Sequence, residues 1–420
     1  MIKSLYPGTF AATLENGIRV ITEAIPTAKS VSLGVWIRAG SRDDLPCNAG
    51  MAHFIEHLLF KGTKKHDALA ISRAIDSVGG FINGATTKEY TCYWIDVPAD
   101  GLDFAVDLLI EMIKDPLFAA EEIERERKVV FEEIKGMNDD PQQVAFNLFS
   151  AGLWQERHPL SSPVLGSRET IAHIDRDAIV DFYQRLYSPD NMVIAACGAL
   201  DHNRFIERVA LLFNGIENNA IGHTRRPPQI RMDYNRHRRD TAQSHIYVAL
   251  PGFAVGDQDR FALEALITVF GSGMSSRLFR IIREERAIAY DVGSLLNLYS
   301  DGGAVVTYAA LSPQKVDETI EIILREIEQL SRDGISAQEL HLAKTKLKGN
   351  FTLSLEAHSN RMARLGARAC IGNEILSPEQ VIDKLDNLTL ADIGQVIDRV
   401  IGANQRTLLE KINLTVVGPP

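Results

Sequence analysis

The sequence has no run approaching the roughly 18 uncharged apolar residues that would span a bilayer, so membrane insertion is not expected. Its four cysteines, Cys47, Cys92, Cys197 and Cys370, stand far apart and form no C-x-x-C pair. That spacing suits reduced thiols better than a disulfide frame or cysteine-ligated zinc. Positive charge is in deficit as well. With 45 Lys and Arg against 55 Asp and Glu, the formal net charge is -10, which argues against a general nucleic-acid binder, since phosphate binding needs a dense cationic surface. The opening stretch MIKSLYPGTFAATLENG contains one lysine, no continuous apolar h-region and no small-residue cleavage site. It does not read as a secretory signal, and a cytoplasmic location is the expectation.

What is present is a chain of 420 residues, longer than one ordinary core, so two domains are expected. The two halves run through the same order of patterns. Each opens on a β-type run, SVSLGVWIRAG and QSHIYVALPG, and continues into helical text beginning near Met51 and near Arg260. Alternating strand text follows, EYTCYWIDV and GAVVTYAAL, and each half closes on a strand ending in glycine, NMVIAACG and INLTVVG. Strand groups separated by helices without regular βαβ alternation predict an α+β protein of two similar domains, each a mainly antiparallel sheet covered by helices. The expected boundaries are 1–215 for the first domain, 216–240 for a linker and 241–420 for the second. The linker reading rests on six arginines, His237 and Pro227-Pro228 between Arg225 and Arg239, which read as a solvated connector.

The segment AGMAHFIEHLLFKG, from Ala49 to Gly62, is the most informative. At 100° per residue, Met51, Phe54, Ile55, Leu58 and Leu59 share an arc of about 140°, while His53, Glu56 and His57 fall together on the opposite side. Asn48 is a candidate start cap and Gly62 a candidate stop. Histidines at i and i+4 can offer both imidazoles to one metal with the Glu56 carboxylate alongside, an H-x-x-E-H signature. A catalytic zinc takes three protein ligands and leaves a fourth position open, so a third residue is required. In AAEEIERERKVVFEEIKG, from Ala119 to Gly136, the stripe Ile123, Val130 and Ile134 is flanked by both Glu126 and Glu133, whereas Glu132 points away. Periodicity leaves Glu133 and Glu126 both open.

HFIEH at His53 to His57, followed by IERERKVVFEEIKGMNDDP, resembles the pitrilysin/insulinase family of zinc metallopeptidases, most closely its mitochondrial processing peptidase branch and the bacterial homologues, over nearly the whole chain. The resemblance implies Glu133 as third zinc ligand, at the family's interval of 133 minus 57, or 76 positions, and Glu126 as the supporting acid seven positions earlier. It implies Glu56 as general base and one zinc ion per chain, because the second half has no H-x-x-E-H of its own. NGATTKEYTCYWIDV is similar to the family's substrate-binding edge strand, which brings in Asn83 and Ala85; Gly84 stands where an alanine is expected. SSRLFRIIREERAIAY resembles the segment supplying an arginine and a tyrosine to the catalytic chamber, here Arg283 and Tyr290. The function so implied is a zinc endopeptidase acting on peptides or unfolded segments, with a preference for basic residues suggested by the acidic balance. A homodimer is expected, Arg283 and Tyr290 of one subunit serving the other's zinc. The alternative is a non-catalytic structural or partner subunit of the same architecture.

Overall fold

The computed structural model describes residues 2–216, 224–402 and 410–419. Two compact units divide the chain. The first comprises Met1–Gly136, Ser162–Thr224 and Leu353–Ser377, and the second Met137–Ser161, Arg225–Thr352 and Pro378–Pro420.

The sheet of the first unit is built from β1 (Lys3–Tyr6), β2 (Thr9–Thr13), β3 (Arg19–Ala24), β4 (Ser30–Ile37), β5 (Phe81–Thr86), β6 (Thr91–Pro98) and β7 (Met192–Gly198), in the order β1-β2-β3-β7-β4-β6-β5. Only the β3–β7 pair is parallel. Because successive side chains on a strand point to opposite faces, β4 sends Val31, Leu33, Val35 and Ile37 to one core and Trp36 to another. The first core lies under helices that include Met51–Leu59, Leu102–Lys114 and Ala120–Asp139. The second is capped by helix His358–Cys370, which packs Met362, Leu365, Ala369 and Cys370 against Trp36, Val193, Ala195 and Cys197. Gly366 allows that approach: a Cβ there would lie 2.3 to 2.4 Å from the Trp36 ring.

The second unit repeats the plan with β8 (Asp233–Arg238), β9 (Ser244–Gly252), β10 (Ala289–Tyr299), β11 (Gly302–Leu311) and β12 (Asn413–Gly418), ordered β10-β11-β9-β12-β8. Matching β8 through β12 to β3 through β7 turns this order into the β5-β6-β4-β7-β3 part of the first sheet, leaving β1 and β2 unmatched among the described strands, and the parallel pair β12–β8 corresponds to β3–β7. One face packs on Arg260–Phe270, Val316–Asp333 and Leu390–Ile401. The other receives helix Pro141–Leu153, where Phe149 stacks on Tyr247 at 4.7 Å between ring centroids.

Three details differ from expectation. The expected split into 1–215, 216–240 and 241–420 does not follow the compact units, because each unit takes from the other half of the chain the helix that covers its second face. Within the expected linker, Asp233–Arg238 is not a free connector but the edge strand β8, paired in parallel with β12; residues 217–223 lie outside the described residues. Its alternating exposed and half-buried pattern is that of an edge strand, where charged side chains are tolerated and discourage further pairing. Finally, helix Met51–Leu59 is preceded directly by Gly50 and ends at Phe60, so neither Asn48 nor Gly62 caps it. Asp44 supplies the missing acceptors, its carboxylate receiving Gly50 N at 2.8 Å and Ala52 N at 3.0 Å.

Candidate metal centre

Helix Met51–Leu59 buries Met51, Phe54, Ile55, Leu58 and Leu59 in the main core of the first unit, and that burial fixes its rotation. His53, Glu56 and His57 consequently emerge on the opposite side, with the two imidazole centroids 4.6 Å apart. Ile123, Val130 and Ile134 seat helix Ala120–Asp139 in the same core. This brings Glu133 Oε2 to 3.6 Å from both His53 Nε2 and His57 Nε2. One donor atom from each of the three residues falls within a 4.8 Å cluster, a spacing at which a single ion can be held.

The donors suit a borderline metal ion such as zinc, which takes imidazole nitrogen and carboxylate oxygen. Burial, reinforced by the neighbouring His57, pushes His53 down to about 4, so its imidazole is neutral near pH 7 with a lone pair to give. His57 Nδ1 lies 3.1 Å from Glu126 Oε2, a contact that orients the ring with Nε2 toward His53 and Glu133. Lys61 Nζ holds the other oxygen of Glu126 at 2.8 Å. The side chains of His53 and His57 are 12% and 16% exposed against 40% for Glu133, so the cluster opens to solvent on the Glu133 side.

Glu56 does not join the cluster. Its Oε2 accepts a 2.6 Å hydrogen bond from the Thr86 hydroxyl on β5. Burial pushes the Glu56 carboxyl above its ordinary value, against the opposing pull of Thr86, which favours the ionised form through its side chain and backbone. Glu56 therefore stands beside the three candidate ligands with one oxygen held by a neutral donor.

Residues 19–168 match the insulinase family of peptidases, family M16, and residues 173–347 match the peptidase M16 inactive domain. An uncharacterized zinc protease of Mycobacterium tuberculosis is 36% identical over 97% of this chain and 92% of its own length. The chain belongs to peptidase family M16. A further uncharacterized zinc protease, from Bacillus subtilis, is 32% identical and 97% of each chain is covered. Two solved structures share the fold: a protease from Helicobacter pylori, with TM-score 0.89 and 21% identity over 97% of this chain and 99% of that one, and a peptidase M16 inactive domain from Pseudomonas fluorescens, with TM-score 0.90 and 18% identity over 98% of each.

The remaining expected residues are distributed as follows. Glu126 is buried behind His57, and Glu132, which periodicity turned away, is exposed. Asn83 and Ala85 lie on β5 with side chains on the face away from Glu56; Ala85 packs toward Trp36 and Cys92, and Asn83 is exposed. Gly84 and Thr86 occupy the face toward Glu56. Arg283, in a π-helical stretch Phe279–Glu285, sits over the rings of Phe279 at 4.9 Å and Tyr290 at 5.3 Å. Tyr290 is a 77% exposed residue of β10. Arg283 and Tyr290 belong to the second unit, and the His53, His57 and Glu133 cluster lies wholly within the first.

Sequence reasoning missed Asp44, Lys61 and Thr86. Lys61 lies just past the end of that helix, four positions after His57, where helix periodicity no longer places side chains. Thr86 lay two residues beyond the unusual Gly84, on the same side of the strand.

Proposed function

We propose that the chain is a zinc-dependent endopeptidase with His53, His57 and Glu133 holding one ion, Glu126 orienting His57, and Glu56 acting as general base. The observation that carries this reading is the convergence of three donor atoms within 4.8 Å on the polar side of a core-locked helix, with Glu56 next to them and outside the ligand set. Zinc held there supplies Lewis-acid polarisation of a scissile carbonyl. Glu56 takes the proton of the attacking water and returns it to the leaving amine, so the carboxyl begins and ends ionised. Thr86 keeps that carboxyl in place, and β5, the last strand of its sheet, is the edge on which an extended peptide adds as a further strand. Asn83 and Ala85 flank that backbone row.

The net charge of -10 supports a preference for basic peptides, similar to that of mitochondrial processing peptidase. The chain works as a homodimer in which Arg283 and Tyr290 of one copy serve the metal centre of the other; an active monomer in gel filtration would overturn that arrangement. The exposed Tyr290, with Arg283 over its ring, is available for such a role. The deciding experiment is hydrolysis of a quenched basic peptide of about 20 residues, with chelated and zinc-restored controls. Zinc-dependent cleavage is expected. Bound metal without cleavage would favour a structural or partner subunit.

A further inference from the structure

Strand β5 presents Gly84 and Thr86 to the side chain of Glu56, and each does something different there. Thr86 Oγ1 donates to Glu56 Oε2 at 2.6 Å. An ionised carboxylate can only accept, so the threonine hydroxyl is the donor, and the contact to Glu56 is far shorter than the one to its cross-strand neighbour. Thr91 is the register partner of Thr86, and its own hydroxyl donates to Ala39 O at 2.8 Å, while the two threonine oxygens stand 3.5 Å apart. Two residues earlier, Gly84 leaves a gap that Glu56 fills: a Cβ at 84 would lie 3.0 Å from both Glu56 Cγ and Oε1, and 3.1 Å from Phe60 Cε2. Such separations are tighter than ordinary van der Waals contact, so any side chain at 84 displaces Glu56, Phe60 or the strand.

We infer that Thr86 is a positioning residue for Glu56, and that the bare Gly84, where the family resemblance expects an alanine, lets the Glu56 side chain lie closer against the strand. This rests on the peptidase reading for its catalytic consequence, but the contact itself does not. It also joins two events on one element. The strand that receives an extended peptide along its open edge is the strand that grips the base, so a peptide seated on β5 meets a carboxyl whose orientation is fixed by that same backbone.

The test compares Thr86→Val, Thr86→Ser and Gly84→Ala with the wild type as full-length, zinc-loaded chains. Valine matches threonine in shape but cannot donate, so kcat is expected to fall between tenfold and a hundredfold, as misplacement of a reacting group does. KM and the zinc dissociation constant from chelator competition should stay within about twofold, because transition-state alignment alone is lost. Thr86→Ser should restore most of kcat, and Gly84→Ala, which asks Glu56 and Phe60 to shift by only a few tenths of an ångström, should lower kcat by less than valine does. A Thr86→Val enzyme with unchanged kcat, or one whose loss appears in KM or in zinc content, would overturn the inference. The carboxyl carbon resonance of Glu56 gives a second readout independent of turnover, identified by its disappearance in Glu56→Gln. It should move in Thr86→Val and return in Thr86→Ser; a resonance that does not move would overturn the contact. Failure of the wild type to cleave peptide, with that resonance moving as expected, would reject the peptidase reading while leaving the Thr86 contact standing.

Discussion

Lys61 places its ammonium nitrogen 2.8 Å from Oε1 of Glu126, a carboxylate whose side chain is only 6% exposed. The other oxygen of the same carboxylate meets His57 Nδ1. A buried carboxylate is stable only when paired, and here the partner comes from the chain just past the end of the helix that carries the histidine the carboxylate orients. Glu126→Gln should therefore weaken zinc binding by about 10- to 100-fold, the usual effect of removing a ligand's outer partner. Lys61→Met should weaken it less, since Glu126 and His57 remain. Chelator competition measures both, and zinc affinity unchanged in Glu126→Gln would show that His57 is held by other means.

Glu56→Gln should retain zinc and lose turnover by about 10²- to 10⁴-fold, the range for general base removal. Glu133→Gln should lose zinc instead, because a neutral amide is the poorer ligand. Metal content and peptide hydrolysis, measured together on the two variants, separate the roles; the opposite pattern would exchange them.

Gly366→Ala adds a methyl group 2.3 Å from the Trp36 ring. The helix His358–Cys370 must lift from the sheet or Trp36 must turn, at about 1 to 3 kcal/mol. Urea unfolding at equilibrium checks this, and an unchanged midpoint would mean the helix is loosely seated.

Glu339 offers a pH test away from the metal. Two hydrogen bonds from Arg277, at 2.6 and 2.8 Å, and one from Ser336 N at 2.8 Å hold its carboxyl down to about 2. A folded value below the unfolded one means stability that is present above about pH 4.5 and is lost as pH falls toward 2. The wild type should exceed Glu339→Gln in stability at pH 6, and the gap should narrow across that window. Thermal melts at pH 6, 4 and 3 report it, and a gap independent of pH would contradict the assignment.

The faces of helix Met51–Leu59 were legible because burial follows a 100° rotation, and Phe54, Ile55 and Leu58 are buried as that rule requires. The same rule could not separate Glu126 from Glu133. They lie seven residues, or about two turns and 10 Å, apart on one face, so only the seating of the helix decides which turn reaches His53 and His57. Packing gives Glu133 to the two Nε2 atoms and Glu126 to His57 Nδ1. Asp44 escaped because local capping rules inspect the residue beside the helix, whereas this carboxylate returns across an irregular loop. Strand β8 escaped because Arg236, His237 and Arg238 lack apolar alternation; its pairing is set by β12, far along the chain.

The first unit takes its last segment, Leu353–Ser377, after 352 minus 224, or 128, positions that all belong to the second. During synthesis, at roughly 5 to 20 residues per second, the sheet face bearing Trp36 and Cys197 waits on the order of ten seconds for its covering helix to emerge from the ribosome. The candidate ligands, the last of them Glu133, are thus made 353 minus 133, or 220, positions before the segment that completes their own unit begins.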